Sequence, residues 1–151
     1  MTNSAYLELE TRHRRVALLG ETSAILHWDT AAIMPDGAAS ARAEQLAEMQ
    51  AVIHGLKTAS EVGDLIGEAE AHAGNLDDWQ RANLSEMSRQ WTKARAVPED
   101  LVVALSRACS ACETAWRSAR PAADFSAVKP LLQEVLGLTR AAGQAKAEAL
   151  C

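Results

Sequence analysis

The sequence predicts an all-α fold of about six mostly antiparallel helices, opening with a long helical hairpin, in one domain spanning 1–151. Three observations carry this. The composition is 48% hydrophobic but only 4% aromatic, and it is rich in Ala, which loses no side-chain entropy in a helix. Apolar residues recur in steps of three, four and seven along successive segments. The breaks between segments are marked by Pro, Gly, Asn and Asp, and no segment reads as a strand, an internal repeat or a low-complexity tract. A length of 151 residues is about one domain, and such a domain buries roughly 70% of the surface its unfolded chain exposes.

The first helix is expected from about Ser4 to Ala32, with Tyr6, Leu9, Val16, Leu19 and Leu26 on its inner stripe and His13 filling the gap between Leu9 and Val16. It should stop at Met34-Pro35, because the residue before a proline is pushed out of the helical region and Gly37 turns freely. The second helix, about Ala38 to Lys57, carries Leu46, Met49, Ile53 and Leu56 in a three-four-three seam suited to antiparallel packing at a shallow angle. The short corner between them predicts a hairpin, with Trp28 beside it.

Thr58 to Glu61 reads as a capping box that opens a shorter helix through Val62, Leu65, Ile66 and Ala69, in which Gly63 and Gly67 each cost up to ~1 kcal/mol relative to Ala. Asn75 is the expected cap of a fourth helix whose buried face runs Leu76, Trp79, Asn83, Met87, Trp91, Ala94. Pro98 fits the first turn of a fifth, with Leu101, Leu105, Ala108, Cys112, Trp116 and Ala119 inward and Pro121 as its stop. Asp124 or Ser126 should cap the sixth. There Leu131, Val135, Leu138, Ala142 and Ala149 face inward, and Pro130 is tolerable only in the first turn.

Charge and cysteine usage exclude several functions. A net charge of −5 without a basic cluster repels a phosphate backbone, so nucleic acid is not an expected partner. No segment approaches about 18 consecutive apolar residues, and the charged N-terminus lacks a signal-peptide core, so a membrane is not expected and a cytoplasmic location is. Cys109, Cys112 and Cys151 are an odd number without a disulfide-framework spacing, and Cys151 ends the chain abruptly, as a truncation would.

Few residues suggest chemistry. Asp29 stands near a helix C-terminus, where the dipole disfavours a carboxylate, and Arg42 is placed to fold back and bind it with two parallel hydrogen bonds; the other reading is two unrelated solvated charges. Cys109 and Cys112 have CxxC spacing inside a helix and read as two small buried residues rather than a redox or metal motif. His13, His27, His54 and His72 stand apart in sequence, with Glu68 and His72 as a weak surface pair. Six acids between Thr58 and Gln80, with no Lys or Arg, read as a solvated face. The four tryptophans are assigned to the core, and two of them exposed would mark a contact surface.

The corner is more specific in wording than in geometry. The run WDTAAIMPDGAASARAEQLAEMQAVIH, with Trp28, Asp29, Met34, Pro35, Gly37, Arg42, Gln45 and His54, resembles the N-terminal signature of the carboxypeptidase Taq family of zinc-dependent metallocarboxypeptidases. The resemblance resumes at VPEDLVVAL, at Trp116-Arg117 and Arg120, and at Lys129-Pro130-Leu131, although Val128 stands where an aromatic residue is expected. It implies hydrolysis of C-terminal peptide bonds, zinc or cobalt in the full-length enzyme, and a homodimer in many members. Such enzymes are longer and carry an HExxH helix; here no His precedes Glu and no two His stand at i, i+4. No catalytic, cofactor-binding or metal-binding residue is therefore assigned. The chain reads as the N-terminal part of such an enzyme, inactive alone, partnered by the catalytic remainder or by itself through an exposed apolar face. The alternative is a non-catalytic helical protein-interaction module.

Overall fold

A computed structural model describes residues 3–150, and Cys151 lies outside the described residues. Six α-helices follow one another: α1 (Ser4–Ala32), α2 (Ala39–Thr58), α3 (Ser60–Ala71), α4 (Asp78–Arg95), α5 (Glu99–Ala119) and α6 (Phe125–Leu150). Two short 3-10 turns, Asp36–Ala38 and Ala73–Asn75, complete the chain, and no strand occurs among the described residues. None of the described helices is long and apolar enough to cross a membrane.

Helices α1, α2, α5 and α6 form a row in that order, with α3 and α4 packed against α1 and α2. Neighbours run antiparallel. Ser23 and Asp29 of α1 meet Gln50 and Arg42 of α2, and Glu44 and Gly55 of α2 lie opposite Arg107 and Glu99 of α5. The densest core sits at one end, where Ala5, Tyr6 and Leu9 pack with Val62, Ile66 and Ala69 of α3 and Leu84 and Met87 of α4. Asn3 fastens this end twice. Its Oδ1 accepts the Tyr6 N–H at 3.1 Å and caps α1, while its Nδ2 donates to the Ala69 carbonyl at 3.0 Å near the end of α3.

The hairpin and the element order follow the sequence, but several details do not. Thr58 makes no capping box, because its Oγ1 donates to the His54 carbonyl and stays in the last turn of α2; α3 starts after the extended Ala59 instead. The box lies at Asp77 and Gln80, each side chain bonded to the other's backbone N–H, so Asp77 and not Asn75 caps α4. The chain turns at the α1–α2 corner without Gly37 using positive φ, and Pro35 in extended geometry does the turning. Pro130 is the sixth residue of α6, past its first turn, and Asp124 caps that helix by accepting the Ala127 N–H at 3.2 Å. Ala149 is exposed and Val128 buried, so the inner stripe of α6 begins one turn earlier than expected and ends earlier.

Two small-residue positions have structural reasons. Gly63 lets the Trp91 ring lie directly on α3, since a Cβ there would fall 2.4 Å from Trp91 Cζ2. Arg95 covers that ring at 4.6 Å from its centroid, a cation–π contact within α4. Beyond Ala119 the chain closes with Asp124 N–H on the Ala119 carbonyl and Ala123 N–H on the Arg120 carbonyl. That is the Schellman pattern, and Ala123 occupies its left-handed position at φ 52°.

Candidate functional site

The α1–α2 corner is held by arginines from other helices. The last turn of α1 contains no basic residue, so its terminal carbonyls lack the cation that would complement the negative end of the dipole. Arg42 of α2 supplies one: Nη1 donates to the Leu26 carbonyl at 2.9 Å and stands 2.5 Å from Asp29 Oδ2, while Nε donates to Gln45 Oε1 at 2.9 Å. Thr30 Oγ1 shares the cluster by donating to Leu26 O at 2.7 Å. Asp29 and Arg42 thus meet, but through one nitrogen and not as the two-bond fork expected. Nε is taken by Gln45, and Nη1 divides itself between Asp29 and the Leu26 carbonyl.

Sequence reasoning missed the second arginine. Arg117 of α5 donates Nη1 to the Thr30 carbonyl and Nη2 to Glu113 Oε1, tying the same helix end to a third helix. The signal was present as a deficit: a helix ending in Thr-Ala-Ala with no Lys or Arg needs donors from elsewhere.

The expected residues divide into three places. Trp28, Asp29, Met34, Pro35, Gly37, Arg42 and Gln45 gather at the corner. His54 lies three turns further along α2, about 18 Å away by helical rise. Trp116 and Arg120 are stacked on α5, guanidinium over ring at 5.1 Å, and Pro130 belongs to α6.

The tryptophans correct the core assignment. Trp28, Trp79 and Trp116 are 63%, 75% and 45% exposed, and only Trp91 is partly buried against the core. The buried face of α4 carries Leu84 and Met87, and Trp79 in its first turn is left outside it. Trp28 is exposed on α1 together with Leu18 and Ile25, and Ile33 just past the helix end is exposed as well. Trp116 and Phe125 flank a groove of about 720 Å³ between α5 and α6, floored by Ala119, Val128 and Val135 with Arg120 and Asp124 at its rim. Asp124 is held below the usual carboxylate range by hydrogen bonds from Ser126 and the Ala127 N–H.

Among the described residues no group of three or more His, Cys, Asp or Glu could hold a metal ion. His13 Nδ1 and His72 Nδ1 each face a carbonyl of their own helix, Leu9 and Glu68, so His72 does not pair with the Glu68 carboxylate as expected. Cys109 is exposed and Cys112 only half-buried, against the expectation that both are core residues, and both thiols are free. Partial desolvation of the sulfur, with Cys112 and Glu113 beside it, pushes the Cys109 thiol up.

The comparisons fall on this geometry. The family model for carboxypeptidase Taq (M32) metallopeptidase matches residues 8–150. The thermostable carboxypeptidase 1 of Thermus thermophilus is 32% identical over 139 residues, which are 91% of this chain and 27% of that protein. The structure of Trypanosoma cruzi metallocarboxypeptidase 1 superposes with a TM-score of 0.73 at 32% identity, over 95% of this chain and 29% of that one. A crystal structure titled BsuCP superposes more closely, with a TM-score of 0.89 at 21% identity over 94% of this chain and 29% of that one, and shows the shared fold. The chain spans less than a third of the length of these relatives. With the corner wording, the six-helix order and a match over nearly its whole length in agreement, the chain belongs to the carboxypeptidase Taq (M32) metallopeptidase family.

Proposed function

We propose that this chain acts as the N-terminal helical part of a metal-dependent carboxypeptidase that removes C-terminal residues from peptides. The metal, zinc or cobalt, and the catalytic groups would lie in sequence outside these residues, since no group of three or more His, Cys, Asp or Glu among the described residues could hold a metal ion. The carrying observation is the pair of large apolar faces left open, the one with Leu18, Ile25 and Trp28 on α1 and the Trp116–Phe125 groove, on a chain that spans about a quarter of its relatives. Contiguous exposed apolar surface of this kind marks a contact site. The occupant proposed is the remaining polypeptide of the enzyme, with self-association as the way the isolated chain hides the same faces.

Complementation tests this. The Thermus thermophilus relative, shortened by the matching N-terminal segment, is assayed on an N-blocked dipeptide with and without the purified chain. Activity restored by the chain, and weakened by Trp28→Ala or Trp116→Ala, supports the reading. Hydrolysis by the chain alone with stoichiometric metal would overturn it. A chain that stays monomeric at high concentration and never associates with the shortened enzyme would remove the role of these faces.

A further inference from the structure

A second cavity of about 720 Å³ lies between α2, α4, α5 and α6, with His27 of α1 at its edge, separate from the Trp116–Phe125 groove apart from Cys109, which touches both. Its walls include Ile53 of α2, Val97 just before α5, and Leu101, Val102 and Leu105 of α5. Four cations line it, Lys57, Arg89, Lys93 and Lys146, and no Asp or Glu does. That is unusual in a chain with 20 acidic and 15 basic residues.

Nearby carboxylates offset part of this charge. Glu86 pairs with Arg89 through both nitrogens of the fork. Glu99, at the start of α5, faces His54 and Gly55. Lys57, Lys93 and Lys146 remain without a carboxylate within ion-pair distance among the described residues. Burial lowers the His54 pKa; of its charged neighbours Glu99 acts against that shift and Lys57 adds to it.

We propose that this cavity binds a small aliphatic carboxylate, its hydrocarbon body against Ile53, Val97, Leu101 and Leu105 and its head group met by Lys57, Lys93 and Lys146. The volume suits a drug-sized ligand, and the combination of apolar walls with a few convergent polar groups is that of a ligand site. Lysines offer point charges to an anion rather than a planar fork. The lining has no Phe, Tyr or Trp on which a base or aromatic ring would stack, and Glu99 and Asp100 in the first turn of α5 disfavour a multiply charged phosphate there. A singly charged head on an aliphatic chain satisfies all of these features.

The probes are sodium octanoate, 1-octanol and acetate, titrated into the purified chain with backbone amide shifts and heat as readouts. Octanoate is expected to bind at least tenfold tighter than octanol, acetate to show no saturable binding, and affinity to rise about fourfold per methylene from hexanoate to octanoate. The shifts should centre on Ile53, Lys57, Lys93 and Leu101. A Lys57→Gln/Lys93→Gln double variant with an unchanged melting curve should lose tenfold or more, while Lys129→Gln on α6, outside the cavity, should lose nothing. N-acetyl-leucyl-leucine distinguishes the source: tighter binding than octanoate identifies a peptide terminus, weaker binding a fatty acid. Equal affinity for octanoate and octanol, shifts centred on Trp116 and Phe125, or indifference to the double variant would overturn the assignment.

Discussion

Arg42 Nη1 of α2 lies 2.5 Å from Asp29 Oδ2 of α1 and donates at 2.9 Å to the Leu26 carbonyl one turn earlier, so one guanidinium binds both a carboxylate and a backbone carbonyl of α1. The pair is mostly shielded, with side chains 16% and 26% exposed, so solvent weakens it less than a surface ion pair. Arg42→Ala should therefore cost about 2 kcal/mol, and Asp29→Asn only about 1 kcal/mol, because the Leu26 and Gln45 contacts survive the second change. Urea unfolding of both variants and of the double mutant checks this. A loss for Arg42→Ala no larger than for Asp29→Asn would show that the Leu26 and Gln45 bonds contribute nothing.

The two glycines of α3 should respond with opposite sign. Gly67→Ala meets nothing within 4 Å and should gain about 0.5–1 kcal/mol from helix propensity. Gly63→Ala places a methyl against the Trp91 ring, and the 1–3 kcal/mol typical of overpacking outweighs the same gain. Thermal melts of the two variants side by side decide it, and stabilisation by both would mean that Trp91 moves freely.

Ala123 holds a left-handed position that glycine adopts without strain. Ala123→Gly should stabilise the α5–α6 connection by about 1 kcal/mol, raising the melting temperature by a few degrees. A lower melting temperature would show that chain entropy dominates at this site.

His54 contributes to the pH dependence of folding. Its folded pKa is lowered from 6.5, chiefly by burial, so the unfolded chain takes up the proton first as pH falls. Its contribution is fully present above the unfolded value and is lost as pH falls through 6.5 toward the lower folded value. His54→Gln, which carries no proton, should lose less stability than the parent between pH 7 and pH 5. Parallel urea titrations at the two pH values test it, and an identical loss would remove His54 as the cause.

The sequence by itself determined the helices and their order, because periodicity and a Met34-Pro35 stop are local properties of the chain. It also determined the family, through the run from Trp28 to His54. Tertiary structure decided which faces those helices bury. Trp79 and Trp91 stand on one expected stripe of α4, yet Trp79 is exposed and Trp91 lies on Gly63, because α3 packs against the later turns of α4 and nothing covers its first. Only the assembled helices bring Arg117, 87 residues from Thr30, onto the end of α1, and only they gather Lys57, Lys93 and Lys146 around one apolar cavity. Local pattern fixes where a helix runs, whereas the partner of each charge and each aromatic ring depends on which distant segment the fold sets beside it.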